Sequence, residues 1–364
     1  MPMNDRLGIE CLILCGFLGS GKTTLLGRFL AGRDLHDTAV IVNEAGEVGI
    51  DAAVLQTQAP DDPVLMLDNG CICCSLRSSL VDTVLRLIHA PRPMGAPPLR
   101  RIVIETSGIS RPGAVLATLR DRDLIELNLD IRVLCTFDAS RPDEAPEHQM
   151  DEALAQWAAA QRIVLTKLDL IDAAGIERAR LRVARINPLA ECVVEPDIDR
   201  RVRGAFGPLS FDAAASGGAS PARSLESGPE SQAVAHPRIR VFRGGPASTL
   251  DWAGFAAWVD DLTGLLGERL LRFKAIVMLG DMGAPVLLQS VGTQFSAPQP
   301  AGPARLPDGQ PSSVIVIARD CELDWIHAQL ADAPVRLSPW QAPSDRTIRL
   351  PIHSDYTQPE EEAP

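Results

Sequence analysis

The chain has 364 residues, 46% hydrophobic and 23% charged, enough for one full core with material for a second. A formal net charge of -12 argues against a phosphate backbone as partner, so no nucleic-acid role is expected. The opening MPMNDRLGIE has no basic region followed by an apolar run, and no later segment approaches a membrane span; the expectation is a cytoplasmic protein with no membrane contact.

Short β-rich runs alternate with longer helical patterns through the first half: ECLILC (10–15), AVIVN (39–43), PVLML (63–67), RIVIE (101–105), IRVLCTFD (131–138) and RIVLT (162–166). That alternation predicts a largely parallel sheet covered by helices. Cys11, Cys15, Cys135 and Cys192 fall in apolar runs and are expected to act as small buried hydrophobes.

The first strand runs into GFLGSGKTT (16–24), which fits G-x-x-x-x-G-K-[ST] and precedes a helical pattern. Gly16, Gly19 and Gly21 let the backbone fold tightly, so that its N–H groups and the helix N-terminus face phosphate oxygens. Lys22 is expected at the β and γ phosphates and the Thr23 hydroxyl on magnesium, with Ser20 and Thr24 completing the phosphate-binding set. After the second strand, VNEAGEVGID (42–51) carries Glu44 and Glu47 among small residues, an acidic loop able to approach magnesium, the attacking water or another metal.

Cys71, Cys73 and Cys74 follow PVLMLDN and precede the amphipathic pattern SLRSSLVDTVLRLI. They are therefore expected at or just before a helix N-terminus, where the dipole and free N–H groups favour thiolate. Cys71 and Cys74 have the gap of a zinc knuckle, with Cys73 an extra sulfur between them. A second knuckle is absent from the chain, so three thiols with an open or oxygen-filled fourth position fit exchangeable metal better than a closed structural site. A redox-active dithiol and inert packing are the competing readings.

IETSGISRP (104–112) resembles the D-x-x-G switch of GTPases, with Glu105 in place of Asp and Gly108 as the glycine whose N–H meets the γ-phosphate. RIVLTKLDL then sets Thr166, Lys167 and Asp169 after an apolar strand, the arrangement by which GTPases read guanine. The Asp carboxylate accepts from the ring N–H and the exocyclic amine, and adenine presents an acceptor where guanine presents that ring donor. Thr166 stands where Asn is commoner.

Residues 204–237 are rich in Gly, Ser, Ala and Pro without periodicity and read as a flexible linker. RIRVFRG, a helical pattern in TLDWAGFAAWVDDLTGLLGERL, LLRFKAIVML, PVLLQSVGTQFSA, SSVIVIARD and a helix-like CELDWIHAQLAD follow. The expected fold is an α/β P-loop NTPase with a mainly parallel sheet (1–203), the linker (204–237), a small α+β C-terminal domain (238–350) and an acidic tail (351–364).

Taken in order, GFLGSGKTT, NEAGEVGID, GCICCSLR, ETSGISRP, TKLD and INPLA (186–190) resemble the CobW-type P-loop GTPases, a metal-chaperone family related to those that mature urease and hydrogenase. The resemblance is close over 10–195 and weaker through the C-terminal strands. It implies zinc or cobalt on the cysteines, with GTP hydrolysis tied to metal delivery to an apo-metalloprotein client. Ala45 stands where the family usually has Phe, and His236 is the one histidine near the start of the C-terminal domain, where many members carry a histidine-rich stretch. A lone histidine receives no ligand role.

The expected function is a magnesium-dependent GTP-hydrolysing metallochaperone that binds zinc through Cys71, Cys73 and Cys74, with Lys22 and either Glu47 or Glu105 serving the chemistry. The alternatives are a cobalt chaperone for cobalamin synthesis or a cobalt enzyme such as nitrile hydratase, and a redox-sensing regulatory GTP switch. Oligomeric state has no signature in the sequence.

Overall fold

The computed structural model describes residues 8–32, 36–43, 64–66, 75–92, 96–127, 129–142, 145–146, 150–209, 236–246, 250–280, 283–301 and 312–340. Two sheets organise them. The first comprises β1 (Glu10–Gly16), β2 (Thr38–Asn43), β3 (Val64–Met66), β4 (Arg101–Thr106), β5 (Asp130–Asp138), β6 (Arg162–Thr166) and β7 (Glu191–Val193). Their order is β3-β2-β4-β1-β5-β6-β7 and every pairing is parallel.

Strands β1, β2 and β4 to β7 read as near-continuous apolar runs because both faces are buried. In β1, Cys11, Ile13 and Cys15 enter a cluster with Leu80, Val84, Leu116, Trp157 and Val183. Leu12 and Leu14 point the other way, among Leu25, Leu26, Phe29 and Phe206. The first face is covered by α2 (Ser75–His89), α3 (Pro112–Leu119), the short α4 (Arg122–Ile125), α5 (Asp151–Ala159) and α6 (Ala173–Ile186). The second is covered by α1 (Lys22–Ala31) and α7 (Ile198–Phe206). Cys11, Cys15, Cys135 and Cys192 are buried, as expected, and burial pushes the thiols of Cys11 and Cys192 up to about 12.

The α7 helix runs to Phe206, past the boundary expected at 203. Phe206 stacks on Phe29 with ring centroids 4.0 Å apart. Just beyond it the buried Arg162 guanidinium donates to the carbonyls of Ala205, Gly207 and Pro208 while pairing with Glu191 at 2.6 Å. That web draws the Gly-containing stretch through Pro208 into the first unit, which composition alone assigns to a linker. Residues 210–235 and the tail 351–364 lie outside the described residues.

The second sheet contains β8 (Ile239–Pro246), β9 (Leu270–Val277), β10 (Val286–Val291), β11 (Gln294–Phe295), β12 (Gln299–Pro300), β13 (Ser313–Arg319) and β14 (Val335–Pro339). It is antiparallel, in the order β11-β10-β9-β13-β8-β14, with β12 on β10. The predicted helix at its start begins at Trp252, because the Asp251 carboxylate accepts from Gly254 N and fixes the N-terminus there. This helix, α8 (Trp252–Leu266), and α9 (Leu323–Gln329) cover one face through Phe255, Trp258, Leu262 and Ile326. β14 had no counterpart among the predicted runs, since only Val335 and Leu337 alternate inward over its short length.

The other face of this sheet is not exposed. Ile239, Leu271, Val291 and Ile317 belong to the same apolar cluster as α2, α3, α5 and α6 of the first unit. No helix among the described residues is long and apolar enough to cross a membrane.

The Phe29–Phe206 stack carries a test. Both rings are buried, so Phe206→Ala should lower the unfolding free energy by about 3 kcal/mol or more, read from urea titration. A change below about 1 kcal/mol would show that α7 does not contribute to the core.

Candidate functional site

In a parallel sheet every strand ends at one edge, and the loops leaving that edge form the binding crevice. At this edge β1 delivers the P-loop, β4 delivers Glu105 and the 107–111 loop, β5 ends on Asp138, and β6 ends on Thr166. β2 and β3 run the same way, so the segments after Asn43 and Met66 leave from the same edge. Glu44 and Glu47 lie in the first of these segments and Cys71, Cys73 and Cys74 in the second. All five lie outside the described residues.

The P-loop is built as the glycines require. Gly16, Gly19 and Gly21 take φ of 149°, 71° and 91°. At Gly16 a Cβ would come within 2.0 Å of Thr136 Oγ1, so only glycine permits this turn against β5. Ser20 N donates to Phe17 O at 3.0 Å, and Leu25 N to Gly21 O at 3.0 Å starts α1. The loop is also fastened from below: Ser20 Oγ and Thr136 Oγ1 are 2.6 Å apart, and the Thr166 hydroxyl donates to Ser20 O at 2.8 Å.

Lys22 folds its ammonium onto Gly16 O at 2.8 Å and Phe17 O at 3.4 Å. A cation beside a loop of N–H groups at a helix start fits a polyphosphate. Thr23 Oγ1 donates to Glu105 Oε1 at 2.8 Å, and Glu105 is buried. A hydroxyl and a carboxylate side by side supply the hard oxygen ligands that magnesium takes. Thr24, by contrast, is exposed at the first turn of α1.

Gly108 lies against the P-loop. A Cβ there would meet Leu18 N at 2.8 Å, so the close approach of the two backbones requires glycine. Leu18 and Ile109 expose apolar side chains on either side of this contact.

The β6 end is shaped by Lys167, which takes a positive φ of 55° and opens the short 3-10 turn Leu168–Leu170. This conformation costs a non-glycine residue roughly 1 kcal/mol. It is held by the Lys167 ammonium on Asp138 Oδ2 at 2.6 Å. Burial raises the Asp138 pKa, but the hydrogen bonds from Lys167 and Ser140 prevail and hold the carboxyl below its ordinary range. Asp169 is exposed at the same end. His236, given no role, accepts through Nδ1 from Arg238 N and Ile239 N in the turn that starts β8.

Thr136 and Asp138 were missed by sequence reasoning, although their signal was available: polar residues at the end of an apolar strand next to the P-loop strand. Gln156 was also missed. It is fully buried on α5, and its Nε2 donates to Gly108 O at 3.0 Å and Ser110 O at 2.8 Å. Its trace in the sequence is one amide within the otherwise apolar LAQWAAA. Among the described residues no cluster of three or more His, Cys, Asp or Glu side chains could hold a metal ion.

Residues 10–194 match the family model described as CobW/HypB/UreG, nucleotide-binding domain, and residues 242–333 match that of the cobalamin synthesis protein cobW C-terminal domain. The zinc chaperone YjiA of Escherichia coli K12 is 37% identical over 194 residues, covering 52% of this chain and 59% of the relative. The zinc chaperone CobW of Sinorhizobium sp. is 31% identical over 202 residues, covering 48% of this chain and 55% of the relative. Zinc-regulated GTPase metalloprotein activator 1 of Schizosaccharomyces pombe is 29% identical over 190 residues, covering 51% and 45%. The chain thus spans less than two thirds of the length of these curated relatives. The crystal structure of Zn(II)-bound YjiA GTPase from E. coli superposes with a TM-score of 0.62 at 24% identity, covering 90% of this chain and 99% of that one, a likeness of fold.

The Asp138–Lys167 pair predicts a pH dependence. Because the folded Asp138 pKa is depressed, its stabilisation is present above the unfolded value of about 3.9 and is lost as pH falls through the folded value. Asp138→Asn should lower Tm at neutral pH, and the gap to wild type should narrow as pH falls below about 4 in thermal melts. A gap that does not change with pH would show that the carboxylate charge does not hold this turn.

Proposed function

This chain belongs to the CobW/HypB/UreG family, and from that premise we propose that it is a magnesium-dependent GTPase that carries zinc on Cys71, Cys73 and Cys74 and passes it to an apo-metalloprotein client. The observation that carries the reading is the shared edge: phosphate loop, Thr23–Glu105 pair, Gly108 loop and TKLD turn converge there, and the strand leading to the cysteines ends there as well. The names of the relatives, zinc chaperone and zinc-regulated GTPase activator, favour zinc over cobalt as the cargo.

Each side chain then has a task. The P-loop N–H groups and Lys22 neutralise the β and γ phosphates, so that charge building on the bridging oxygen as the γ-phosphoryl leaves is stabilised. Thr23 and Glu105 are the groups that would hold magnesium, which would supply positive charge to the phosphates. Gly108 N–H serves the γ-phosphate. Glu105 being engaged with Thr23, Glu47 is assigned to the attacking water. Asp169 reads the guanine edge, and Lys167, fixed by Asp138, packs its stem on the base. Thr166 holds the base-reading turn to the phosphate loop through Ser20 O, replacing the commoner Asn with a hydroxyl. Zinc is cargo: three thiolates bind it strongly, and an open fourth position lets a client ligand enter.

Two measurements test this. GTP should bind at least ~100-fold more tightly than ATP, and Asp169→Asn should relax the preference; equal affinities in the wild type would overturn the GTPase reading. Zinc affinity, taken by chelator competition in GDP and in a non-hydrolysable GTP analogue with magnesium, should differ by roughly 30- to 150-fold, reciprocally with nucleotide affinity. Lys22→Ala should abolish that difference with the thiols intact. Equal zinc affinities would leave a metal-binding GTPase without nucleotide-driven delivery, and tighter cobalt than zinc binding would reassign the cargo.

A further inference from the structure

Gln156 is an odd residue for a helix core. Its side chain is fully buried, its Nε2 serves Gly108 O and Ser110 O, and its Oε1 has no hydrogen-bond partner among the described residues. The two acceptors fix which end of the amide is nitrogen, since carbonyls only accept. A half-satisfied buried amide costs stability that an apolar side chain of the same length would not. Core packing is therefore a poor account of this residue, whereas two hydrogen bonds to one loop are a good one.

The same loop is held a second time. Arg111, which follows Ser110, pairs with Glu152 at 3.2 Å and reaches Asp151 at 3.8 Å on the first turn of α5. Asp151 in turn pairs with Arg238, the residue just before β8, at 2.7 Å and with Arg319 at the end of β13 of the C-terminal sheet. At the far end of α5, Asn187 Nδ2 donates to the carbonyls of Trp157, Ala158 and Ala160, and the buried Arg272 of β9 donates to Ala159 O. Helix α3, the continuation of the loop, is followed at once by Arg120, whose guanidinium donates to Phe295 O of β11. The 107–111 loop is thus held between two helices, and both are bonded to the C-terminal domain at or next to their ends.

We propose that Gln156 is a positioning residue for GTP hydrolysis, holding the 107–111 loop so that Gly108 N–H faces the γ-phosphate, and that α5 makes this position depend on the C-terminal domain through Asp151. The proposal rests on the GTPase reading and deepens it. GDP lacks the γ-phosphate that Gly108 N–H faces, so the triphosphate state is the one that senses the loop. Through Asp151 the same tether runs outward, and anything that moves β8 or β13 alters the loop.

In the full chain, Gln156→Met keeps length and apolar packing while removing both hydrogen bonds. It should keep Tm and GDP affinity near wild type, lower kcat by about tenfold or more with little change in KM, and reduce the preference for a GTP analogue over GDP. Gln156→Glu, which sets a carboxylate against the two carbonyls, should be worse in kcat. Asp151→Asn, which weakens the pairs with Arg238 and Arg319, should shift kcat in the same direction by a smaller factor. Hydrogen exchange on the wild type covers the case in which the variants fail to fold: replacing GDP with the analogue should slow exchange at 108–110, in α5, and at the β8 and β13 ends that bear Arg238 and Arg319. A Gln156→Met protein with unchanged kcat and nucleotide preference overturns the positioning role. Protection that stops at the loop, or an Asp151→Asn protein identical to wild type, overturns the link to the C-terminal domain. A wild type that hydrolyses no GTP overturns the GTPase reading itself, and this inference falls with it.

Discussion

One hydroxyl proton holds the site together. Thr166 Oγ1 lies 2.8 Å from Ser20 O and 3.1 Å from Phe137 O, and shares its proton between the P-loop and β5. Around it Ser20 Oγ meets Thr136 Oγ1, and Gly16 passes over Thr136 with no room for a side chain. All of these groups are buried, so the hydrogen bonds act where the local dielectric is low and an unmade bond is expensive. The phosphate loop therefore cannot shift without breaking bonds to two strands. The turn after β6 and the P-loop are thereby tied to each other and to β5. Such preorganisation is what lets backbone N–H groups act on developing charge without first reorganising.

Against that fixed part the 107–111 loop is a mounted piece. It touches the P-loop by backbone contact at Leu18, but its hydrogen bonds go outward, to Gln156 and Arg111's partners on α5. Asp151, where these contacts meet the second sheet, has its carboxyl held below the usual range by Arg319, against the opposing effect of burial, and then by Arg238. Charge pairs at the edge of an apolar contact favour register more than affinity. Here they fix how β8 and β13 sit on α5, while Leu271, Val291 and Ile317 supply the apolar burial behind them.

The parallel sheet was legible because its strands are short apolar runs, such as ECLILC and RIVLT, that stand next to turn residues. The P-loop was legible because its glycines answer a local demand, a backbone with positive φ. TKLD was legible as letters, yet the bond that Thr166 makes was not, since it joins residues 20 and 166. The same limit hid Gln156 and Asp138, whose partners are respectively 48 and 29 residues away or thereabouts in sequence. The end of the first unit was misjudged for a related reason: GAFGP reads as linker until Phe206 is seen on Phe29 and the carbonyls after it on Arg162. Local chemistry is written in the chain, and the choice of distant partner is not.

The apolar cluster shared by the two sheets bears on how the molecule is made. Synthesis proceeds from the N-terminus, so β1 through α7 leave the ribosome before Ile239, Leu271, Val291 and Ile317 exist. Until they arrive, the outer surfaces of α3, α5 and α6 that they will cover face water. A nascent chain halted in that interval carries an exposed apolar strip and is a client for a chaperone or for aggregation. The second sheet is thus an intramolecular cover for the first, and its late delivery makes the interval between the two the vulnerable stage in this protein's folding.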